Sequence, residues 1–585
     1  MNIIGISAFY HDSACCLIKD GALIAAAQEE RFSRLKNDPG LPVKSFKHCL
    51  KEGKISINDV DRIAFYENPV KKLSRQLWCG YNYLDPELTK KMDPRRPEKE
   101  IRDKLGYEGK IEFVDHHLSH AASSFLFSGY ESSAILTVDG VGEWATTTYA
   151  TGEQNSIRIM EEVCFPDSLG LLYSAITNYL GFNVNSGEYK VMGLAPYGKP
   201  VYLDLLLKVI KPGTNGQFSL NMDYFDFTSG TRMFTEKLEA LLGNKPRKKE
   251  SELLAFHLDI AKSLQVLLQD VLLEKSKYLH SITGKENLCL AGGVALNCVA
   301  NGYILRNGPF KRLFVPPAAN DAGGAQGAAA VVYCQLSGKK ISTSPLKTTY
   351  LGASFSDKEI EIVLKNTSLK GVSYQGRREE LLNETAKRLA DGKVIGWFQG
   401  RAEFGPRALG SRSILADPRN PEMRDRINQM VKKRESFRPF APVIPEEKCA
   451  IYFELDHPSP FMLETCSVKP FHDLPAITHV DNSARVQTVN RRDNAMLADL
   501  LSAFEKITDC PILLNTSFNV RGEPIVNSPA DALICFSVAN LDALVIGDTL
   551  IDRNQFQIDE LNKLINCFDS TWVPVRTDRG VYTFI

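Results

Sequence analysis

The sequence predicts an α/β protein of two domains, the first of which is internally duplicated. With 585 residues, the chain exceeds the size at which one hydrophobic core keeps growing, so two or more domains are expected. One pattern starts both near residue 2 and near residue 134: an apolar strand, a turn that contains an acidic residue, and a hairpin. This repeat predicts two α/β halves with a cleft between them.

The elements follow in order along the chain. The first copy consists of the strand "NIIGISAF", the turn His11–Asp12 and a hairpin around Asp20–Gly21. The second copy consists of the strand "AILTVDG", the turn "VGE" and the strand "WATTTYAT". Strand-to-helix transitions follow in "NLCLAGGVALNC" and "RLFVPPAANDAGGAQGAA". The polar stretch 337–349 is the best linker candidate, so we predict domains at 1–345 and 346–585, with an insertion at about 200–250.

Charge and composition limit the expected partners. The 70 basic residues balance the 70 acidic ones, which disfavours a dedicated nucleic-acid binder because such proteins carry a basic excess. No stretch approaches the roughly 20 apolar residues that span a bilayer, and the N-terminal residues show no secretory leader. The 13 cysteines are scattered in apolar runs, which is typical of reduced core thiols. We expect a cytoplasmic protein that binds neither nucleic acid nor membrane.

Residues 114–121, "VDHHLSHA", concentrate three of the ten histidines of the chain. They follow a predicted strand, and Asp115 is a plausible N-cap for a helix. On that helix His116 and His120 are four residues apart and project from one face, as two imidazole ligands of a metal do. His117 projects about 100° away. A surface helix with spare histidines is the alternative interpretation.

Two carboxylates favour the metal interpretation. Asp139 ends an apolar strand, and Asp321 lies in "AANDAGGAQGAA", where small residues let other groups approach the backbone. Two imidazoles and two carboxylates form a nitrogen and oxygen site that suits iron, manganese or zinc. The sequence therefore predicts a metal site at His116, His120, Asp139 and Asp321.

Seven motifs, in order between residues 5 and 329, resemble the carbamoyltransferases of the nodulation and antibiotic-tailoring group, and the resemblance covers nearly the whole chain. They are "GISAFYHDSACCLIKDG", "EERFSRLK", "DHHLSHAASSF", "VDGVGEW", "GEYKVMGLAPYG", "LAGGVALNC" and "NDAGGAQGAA". The resemblance implies an actin/hexokinase-like (ASKHA, Kae1-like) first domain and an α+β, YrdC-like second domain. It also implies Fe²⁺ as the ion of the four-residue site, and a homodimer.

Other residues of the first domain are candidates for nucleotide and acceptor binding. Glycines without side chains would let a base or ribose lie on the backbone at a helix N-terminus, although a Gly-Gly pair is usually only a tight turn. The resemblance implies adenosine binding there. The predicted nucleotide contacts are Gly292, Gly293, Asn297, Glu188 and Lys190.

His11 and Asp12 occupy the first acidic turn and are the predicted catalytic residues. A carboxylate there would accept the proton of the acceptor hydroxyl or help to bind the acceptor. A turn-stabilising aspartate is the alternative, with equal weight.

The second domain contains arginines next to glycine and aromatic residues, a setting that suits bidentate capture of phosphate. A charge run on a solvated helix is the alternative. The resemblance implies that carbamoyl phosphate and ATP bind in these stretches, and whether Lys432 or Lys433 takes part stays open. The predicted contacts are Arg401, Arg407, Arg412, Lys432, Arg438, Arg485, Asn515, Ser517 and Asn519.

These observations predict an ATP-dependent O-carbamoyltransferase. Carbamoyl phosphate and Mg²⁺-ATP would form carbamoyl-adenylate in the second domain. The carbamoyl group would then pass to a hydroxyl of a small-molecule acceptor at the metal site of the first domain. Three alternatives are a tRNA-modifying fusion that transfers threonylcarbamoyl, a kinase or ATPase of the actin-like fold, and a non-catalytic nucleotide-binding regulator.

Overall fold

The computed structural model describes residues 1–80, 86–227, 232–367, 369–432, 435, 437–470 and 473–555. The chain divides into two compact units. Unit 1 contains Met1–Glu29 and Asn37–Lys347. Unit 2 contains Glu30–Lys36 and the described residues from Thr348 onward. The division between Lys347 and Thr348 lies inside the stretch that the sequence suggested as a linker.

Unit 1 contains twelve strands among its described residues. They are β1 Asn2–Ser7, β2 Ala14–Lys19, β3 Ala22–Gln28, β4 Arg62–Phe65, β5 Ile111–Phe113, β6 Ser132–Val138, β7 Ala145–Glu153, β8 Ser156–Cys164, β9 Ile210–Pro212, β10 Phe218–Leu220, β11 Asn287–Ala291 and β12 Arg312–Phe314. The helices of the first 347 residues are α1 Glu30–Ser33, α2 Val43–Gly53, α3 Pro69–Trp78, α4 Pro86–Met92, α5 Arg96–Glu100, α6 His116–Phe125, α7 Leu169–Tyr179, α8 Glu188–Leu194, α9 Leu203–Leu206, α10 Glu236–Leu242, α11 Ala255–Thr283, α12 Cys298–Asn307 and α13 Asp321–Ser337.

Two five-stranded sheets of unit 1 have the same topology. One has the strand order β3-β2-β1-β4-β5, and the other has the order β8-β7-β6-β11-β12. In each sheet the first three strands in chain order are antiparallel neighbours. The fourth strand, β4 or β11, pairs in parallel with the first, β1 or β6, and the fifth, β5 or β12, pairs in parallel with the fourth. The repeated pattern in the sequence is therefore also a repeated topology.

Helices α6 and α13 pack between these sheets, and small residues make the packing close. Helix α13 contacts β1, β2 and β4, whereas α6 contacts β6, β7 and β11, and the two helices contact each other. A Cβ atom on Gly327 of α13 would lie 1.8 Å from the carbonyl oxygen of Ser119 on α6. A Cβ on Gly5 of β1 would lie 1.9 Å from the Ala325 carbonyl oxygen. Glycine is required at both positions because any side chain would separate these elements.

Unit 2 is a mixed α/β unit with an eight-stranded sheet of order β13-β22-β21-β14-β15-β20-β16-β19. Its buried core includes Trp397 of β14 and Phe504. Its strands are β13 Val372–Ser373, β14 Ile395–Phe398, β15 Arg412–Ala416, β16 Ala441–Pro445, β17 Cys466–Ser467, β18 Ser483–Ala484, β19 Gln487–Val489, β20 Leu513–Ser517, β21 Ala543–Ile546 and β22 Thr549–Asp552. Its later helices are α14 Asp357–Asn366, α15 Arg378–Ala390, α16 Met423–Ile427, α17 Cys449–Tyr452, α18 Ala495–Thr508 and α19 Pro529–Val538.

The segment Glu30–Lys36 differs from the sequence-based division, because it lies in the first 345 residues but groups with unit 2. Arg31 and Arg34 donate hydrogen bonds to backbone carbonyls of Gly405, Pro524 and Ile525. These long-range contacts leave no local pattern in the sequence. Across the described residues, no helix is both long enough and apolar enough to cross a bilayer.

Candidate metal centre

Helix α6 begins directly after β5 and presents His116 and His120 from one face. Asp115 is the N-cap residue of this helix, as the sequence predicts. The Asp115 side chain makes no capping hydrogen bond and instead pairs with Lys71 at 2.6 Å. The carboxylate of Glu143 accepts the His116 backbone N–H at 2.9 Å. Glu143 therefore satisfies the helix terminus from a distant loop.

Asp139 and Asp321 complete a cluster with the two histidines. Asp139 follows β6, and Asp321 is the first residue of α13. One ligand atom from each of the four residues lies within 4.8 Å of the others. His116 Nε2 is 3.0 Å from His120 Nε2 and 3.1 Å from Asp139 Oδ2. Asp321 Oδ1 lies 3.5 Å from His120 Nε2, so the sequence correctly placed these four side chains together.

Burial and charge shape the cluster. All four residues are buried, and His120 and Asp321 are 0% exposed. Burial lowers the pKa of His120, but the nearby carboxylates of Asp139 and Asp321 outweigh this effect and raise it to about 9. Burial raises the pKa of the Asp139 carboxyl, but the two histidines hold it well below its usual range. A cation is therefore favoured at this position.

The donor set fits a divalent transition metal. With metal–ligand bonds of about 2.1 Å, a tetrahedral site places its ligand atoms about 3.4 Å apart. The separations of 3.0 to 3.7 Å between the two histidines, and between each histidine and each aspartate, are close to that value. Both Asp321 carboxylate oxygens are buried without a hydrogen bond among the described residues, which a bound cation would relieve. Nitrogen and oxygen donors of this kind suit iron, manganese or zinc.

Other polar groups orient the cluster. The backbone N–H of Gly293 donates to Asp139 Oδ1 at 2.7 Å, and a Cβ on Gly293 would come 2.9 Å from that oxygen. Gly293, which the sequence predicts as a nucleotide contact, therefore orients a candidate metal ligand. His117 lies outside the cluster, and its Nδ1 is 2.6 Å from Thr137 Oγ1. Burial lowers the pKa of His117 to about 3, with His116 and His120 adding to the effect.

The predicted catalytic turn lies next to the cluster. His11 Nδ1 is 3.0 Å from Asp12 Oδ2, and His11 Nε2 is 3.9 Å from Asp321 Oδ2. The Asn320 side-chain amide donates to Asp12 Oδ2 at 2.8 Å. Burial lowers the pKa of His11, but Asp321 and Asp12 outweigh it and raise it to about 9. The structure thus brings a carboxylate and an imidazole beside the four ligands.

The remaining unit 1 candidates are held by structural hydrogen bonds. Asn297 caps α12 by accepting from the backbone N–H of Ala300 at 3.0 Å, and its amide bonds to Gln265. Glu188 at the start of α8 accepts from Ser174 Oγ at 2.8 Å. Lys190 Nζ lies 5.4 Å from the centre of the Phe182 ring. Each of these contacts fixes a candidate side chain within unit 1.

The loop that contains Arg401 and Arg407 is fixed by a buried arginine at its end. Arg412 is 0% exposed and donates to the carbonyl oxygens of Gln399, Ser411, Ala353 and Gly400. This placement favours a structural role for Arg412 over the predicted phosphate contact. Arg401 is half-buried and donates to the carbonyl oxygens of Gly352 and Leu351, and Arg407 is also half-buried.

The end of β20 brings further candidates together. Asn515 Nδ2 donates to Gln487 Oε1 at 2.7 Å and to the Ala408 carbonyl at 3.4 Å, so it joins β20, β19 and the arginine loop. Ser517 Oγ donates to Asn519 Oδ1 at 2.7 Å. The Nε of Arg485, which lies between β18 and β19, is buried without a hydrogen bond among the described residues. An anion bound there would satisfy it.

The remaining cationic candidates of unit 2 are Arg438, Lys432 and Lys433. Arg438 lies 3.8 Å from Glu435 Oε2. Lys433 lies outside the described residues, as does the side chain of Lys432.

Sequence reasoning missed Glu143 and Tyr66, which contact α6 from separate loops. The motif "VDGVGEW" contains Glu143, but nothing in its spacing indicates a partner at His116.

Known proteins resemble the chain over almost its full length. Residues 2–330 match the family described as Carbamoyltransferase N-terminus, and residues 386–553 match Carbamoyltransferase C-terminus. The uncharacterized protein sll1178 of Synechocystis is 46% identical, over 94% of this chain and 97% of its own. Nodulation protein NolNO of Sinorhizobium fredii is 40% identical, over 95% of this chain and 81% of its own. Nodulation protein U of the same species is 36% identical, over 91% and 96%.

Some solved structures resemble the chain distantly. A ROK hexokinase from Thermus thermophilus is 14% identical and covers 57% of this chain, with a TM-score of 0.28. Likeness at that level supports no argument about function. The family matches are more informative, because the first contains the complete four-residue cluster and the second contains Arg485 and Ser517.

Proposed function

The chain belongs to the carbamoyltransferase family, and from that premise we propose that it is an ATP-dependent O-carbamoyltransferase with two reaction sites. Unit 2 would form carbamoyl-adenylate from carbamoyl phosphate and ATP. Unit 1 would transfer the carbamoyl group to a hydroxyl of a small-molecule acceptor. The observation that supports the proposal most is the convergence of His116, His120, Asp139 and Asp321 in a buried site beside His11 and Asp12.

The first reaction would take place among the cations of unit 2. Water would cleave carbamoyl phosphate to carbamate and phosphate. A carbamate oxygen would then attack the α-phosphorus of ATP, forming carbamoyl-adenylate and releasing pyrophosphate. This chemistry depends on positioning and on neutralising phosphate charge. The buried, unpaired Nε of Arg485 and the hydroxyl of Ser517 are the groups that we expect to contact phosphate.

The second reaction would take place in unit 1. The acceptor hydroxyl attacks the carbamoyl carbon, the bond from that carbon to the AMP oxygen breaks, and AMP leaves. Asp12, held by His11 and Asn320, would accept the proton of the hydroxyl. A divalent cation on the four ligands would act as a Lewis acid toward the carbamoyl carbonyl. We expect iron, with manganese or zinc as alternatives, because these metals accept mixed imidazole and carboxylate ligands.

His120→Ala tests this division of labour. Loss of one imidazole should remove most of the bound metal and lower product formation by more than about 100-fold. The rate at which labelled pyrophosphate exchanges into ATP, in the presence of carbamoyl phosphate, should stay near that of the wild type. Metal content, exchange and mass-spectrometric detection of a carbamoylated acceptor are measured on the same folded protein.

His117→Gln is the matched control, because it changes a histidine of the same helix that lies outside the cluster. This variant should retain its metal. The two-site proposal fails if His120→Ala loses exchange and transfer together in correctly folded protein. Absence of bound metal in the wild type would remove the metal from the proposal.

A further inference from the structure

Tyr66 has a buried hydroxyl group for which no described residue provides a partner. The residue directly follows β4 and is 0% exposed. Its hydroxyl makes no hydrogen bond to any described residue. Burying a hydroxyl without a partner is unfavourable, and phenylalanine would fill the same space without that cost.

The side chain of Tyr66 lies beside His116 and packs against α13, the helix that begins at Asp321. Its ring centre is 5.2 Å from that of His116. Its Cδ2 would lie 2.7 Å from a Cβ on Gly324, so it packs directly against α13 one turn after Asp321. The Tyr66 carbonyl accepts the Ser119 hydroxyl of α6 at 3.1 Å. Both helices of the cluster therefore fix the position of this residue.

Other buried tyrosines of unit 1 do have hydroxyl partners. Tyr149 donates to the Gly216 carbonyl at 2.8 Å, and Tyr179 donates to the Asn244 carbonyl. Tyr173 donates to Gln265 Oε1 at 3.2 Å. Unlike these three residues, Tyr66 has a hydroxyl without a partner among the described residues, and it lies next to the cluster.

The hydroxyl of Tyr66 can act only as a donor toward an anion or a carbonyl. A tyrosine phenol has an ordinary pKa of about 10, so it keeps its proton at physiological pH. A protonated phenol in a dry site is a strong hydrogen-bond donor to developing negative charge.

We propose that Tyr66 is a further catalytic residue, whose hydroxyl donates a hydrogen bond to the oxygen of the acyl group positioned at the His116, His120, Asp139 and Asp321 cluster. This inference rests on the proposed function. When the acceptor attacks the carbamoyl carbon, negative charge grows on the carbonyl oxygen, and the hydrogen bond strengthens. Tyr66 neither gains nor loses a proton, and no bond to it forms or breaks.

Tyr66→Phe separates this role from a structural one. Loss of one such donor typically lowers kcat by about 10²-fold or more, so we expect that loss in carbamoyl transfer. The KM for the acceptor, the bound metal and the pyrophosphate exchange should stay near their wild-type values. The urea midpoint of unfolding should be equal or higher, because the substitution removes an unpaired buried hydroxyl.

Tyr179→Phe is the matched control, since it removes a hydroxyl that is hydrogen-bonded inside the same unit. Its urea midpoint should fall while kcat stays unchanged. The inference is overturned if Tyr66→Phe retains kcat, or if it loses metal. It is also overturned if its urea midpoint falls as much as that of Tyr179→Phe. If the wild type itself carbamoylates no acceptor, the proposed function fails instead.

Discussion

At the scale of single residues, Lys275 of α11 is a fully buried cation outside the cluster. Its Nζ donates to the Gly216 carbonyl at 2.7 Å and to Tyr149 Oη at 2.9 Å, and it lies 4.7 Å from the centre of the Phe218 ring. Burial lowers its pKa to about 7. This shift predicts a pH dependence of stability.

The native state gives up the Lys275 proton near pH 7, whereas the unfolded chain keeps it up to the ordinary pKa of 10.5. The unfolded state therefore binds more protons between these values, and the free energy of unfolding should rise with pH. The slope is at most about 1.4 kcal/mol per pH unit for one proton. Below pH 7 both states hold the proton, so this contribution is constant.

Lys275→Met should flatten that rise, as measured by urea unfolding at several values from pH 7 to pH 9.5. Lys277→Met is the control, because Lys277 is an exposed residue of the same helix that pairs with Glu274. It should leave the slope unchanged. An unaltered slope in Lys275→Met would show that the lysine stays protonated throughout, held by its carbonyl and aromatic contacts.

Single residues also show what the sequence can and cannot predict. The four candidate ligands were predictable because two of them share a helix face and two end or begin recognisable elements. Lys275 was not, because lysine is almost never fully buried and its partners at Gly216 and Tyr149 are remote in sequence. Tyr66 was missed for the same reason, since its environment is formed by α6 and α13 together.

At the scale of elements, Arg31 of the short helix α1 and Arg34, which directly follows that helix, hold two loops of unit 2. Arg34 donates to the carbonyls of Ile525 and Pro524 at 2.7 and 2.9 Å, and Arg31 donates to Gly405 at 2.8 Å. Gly405 lies between Arg401 and Arg407 in the candidate phosphate loop. The motif "EERFSRLK" therefore has a structural task that strand and helix patterns did not reveal.

Arg34→Gln should loosen the loop that contains Pro524 and Ile525 and follows Asn519. We expect the KM for carbamoyl phosphate in pyrophosphate exchange to rise about ten-fold, equivalent to about 1.4 kcal/mol, because binding must then order the loop. Arg553→Gln is the control, since Arg553 also donates to two consecutive carbonyls of unit 2, those of Phe536 and Ser537. It should leave this KM unchanged. Equal effects of both substitutions would indicate a general loss of stability.

At the scale of the whole molecule, local sequence patterns predicted the strands and the division of the chain better than the contacts between segments that are distant in sequence. The duplicated sheets follow from alternating and continuous apolar runs, because each strand carries its own signal. The division at Lys347 and Thr348 coincides with a polar stretch for a similar reason. The assignment of Glu30–Lys36 to unit 2 depends on partners hundreds of residues away, which no single sequence displays.

The cluster belongs to unit 1 and the phosphate candidates belong to unit 2, so removal of the metal should affect only one reaction. Phenanthroline, a nitrogen chelator, prefers transition metals and leaves Mg²⁺ with ATP. Treated enzyme should lose carbamoyl transfer and keep carbamoyl-phosphate-dependent pyrophosphate exchange, and added Fe²⁺ should restore transfer. Exchange that falls in parallel with transfer at each chelator concentration would contradict the assignment of the two reactions to separate units.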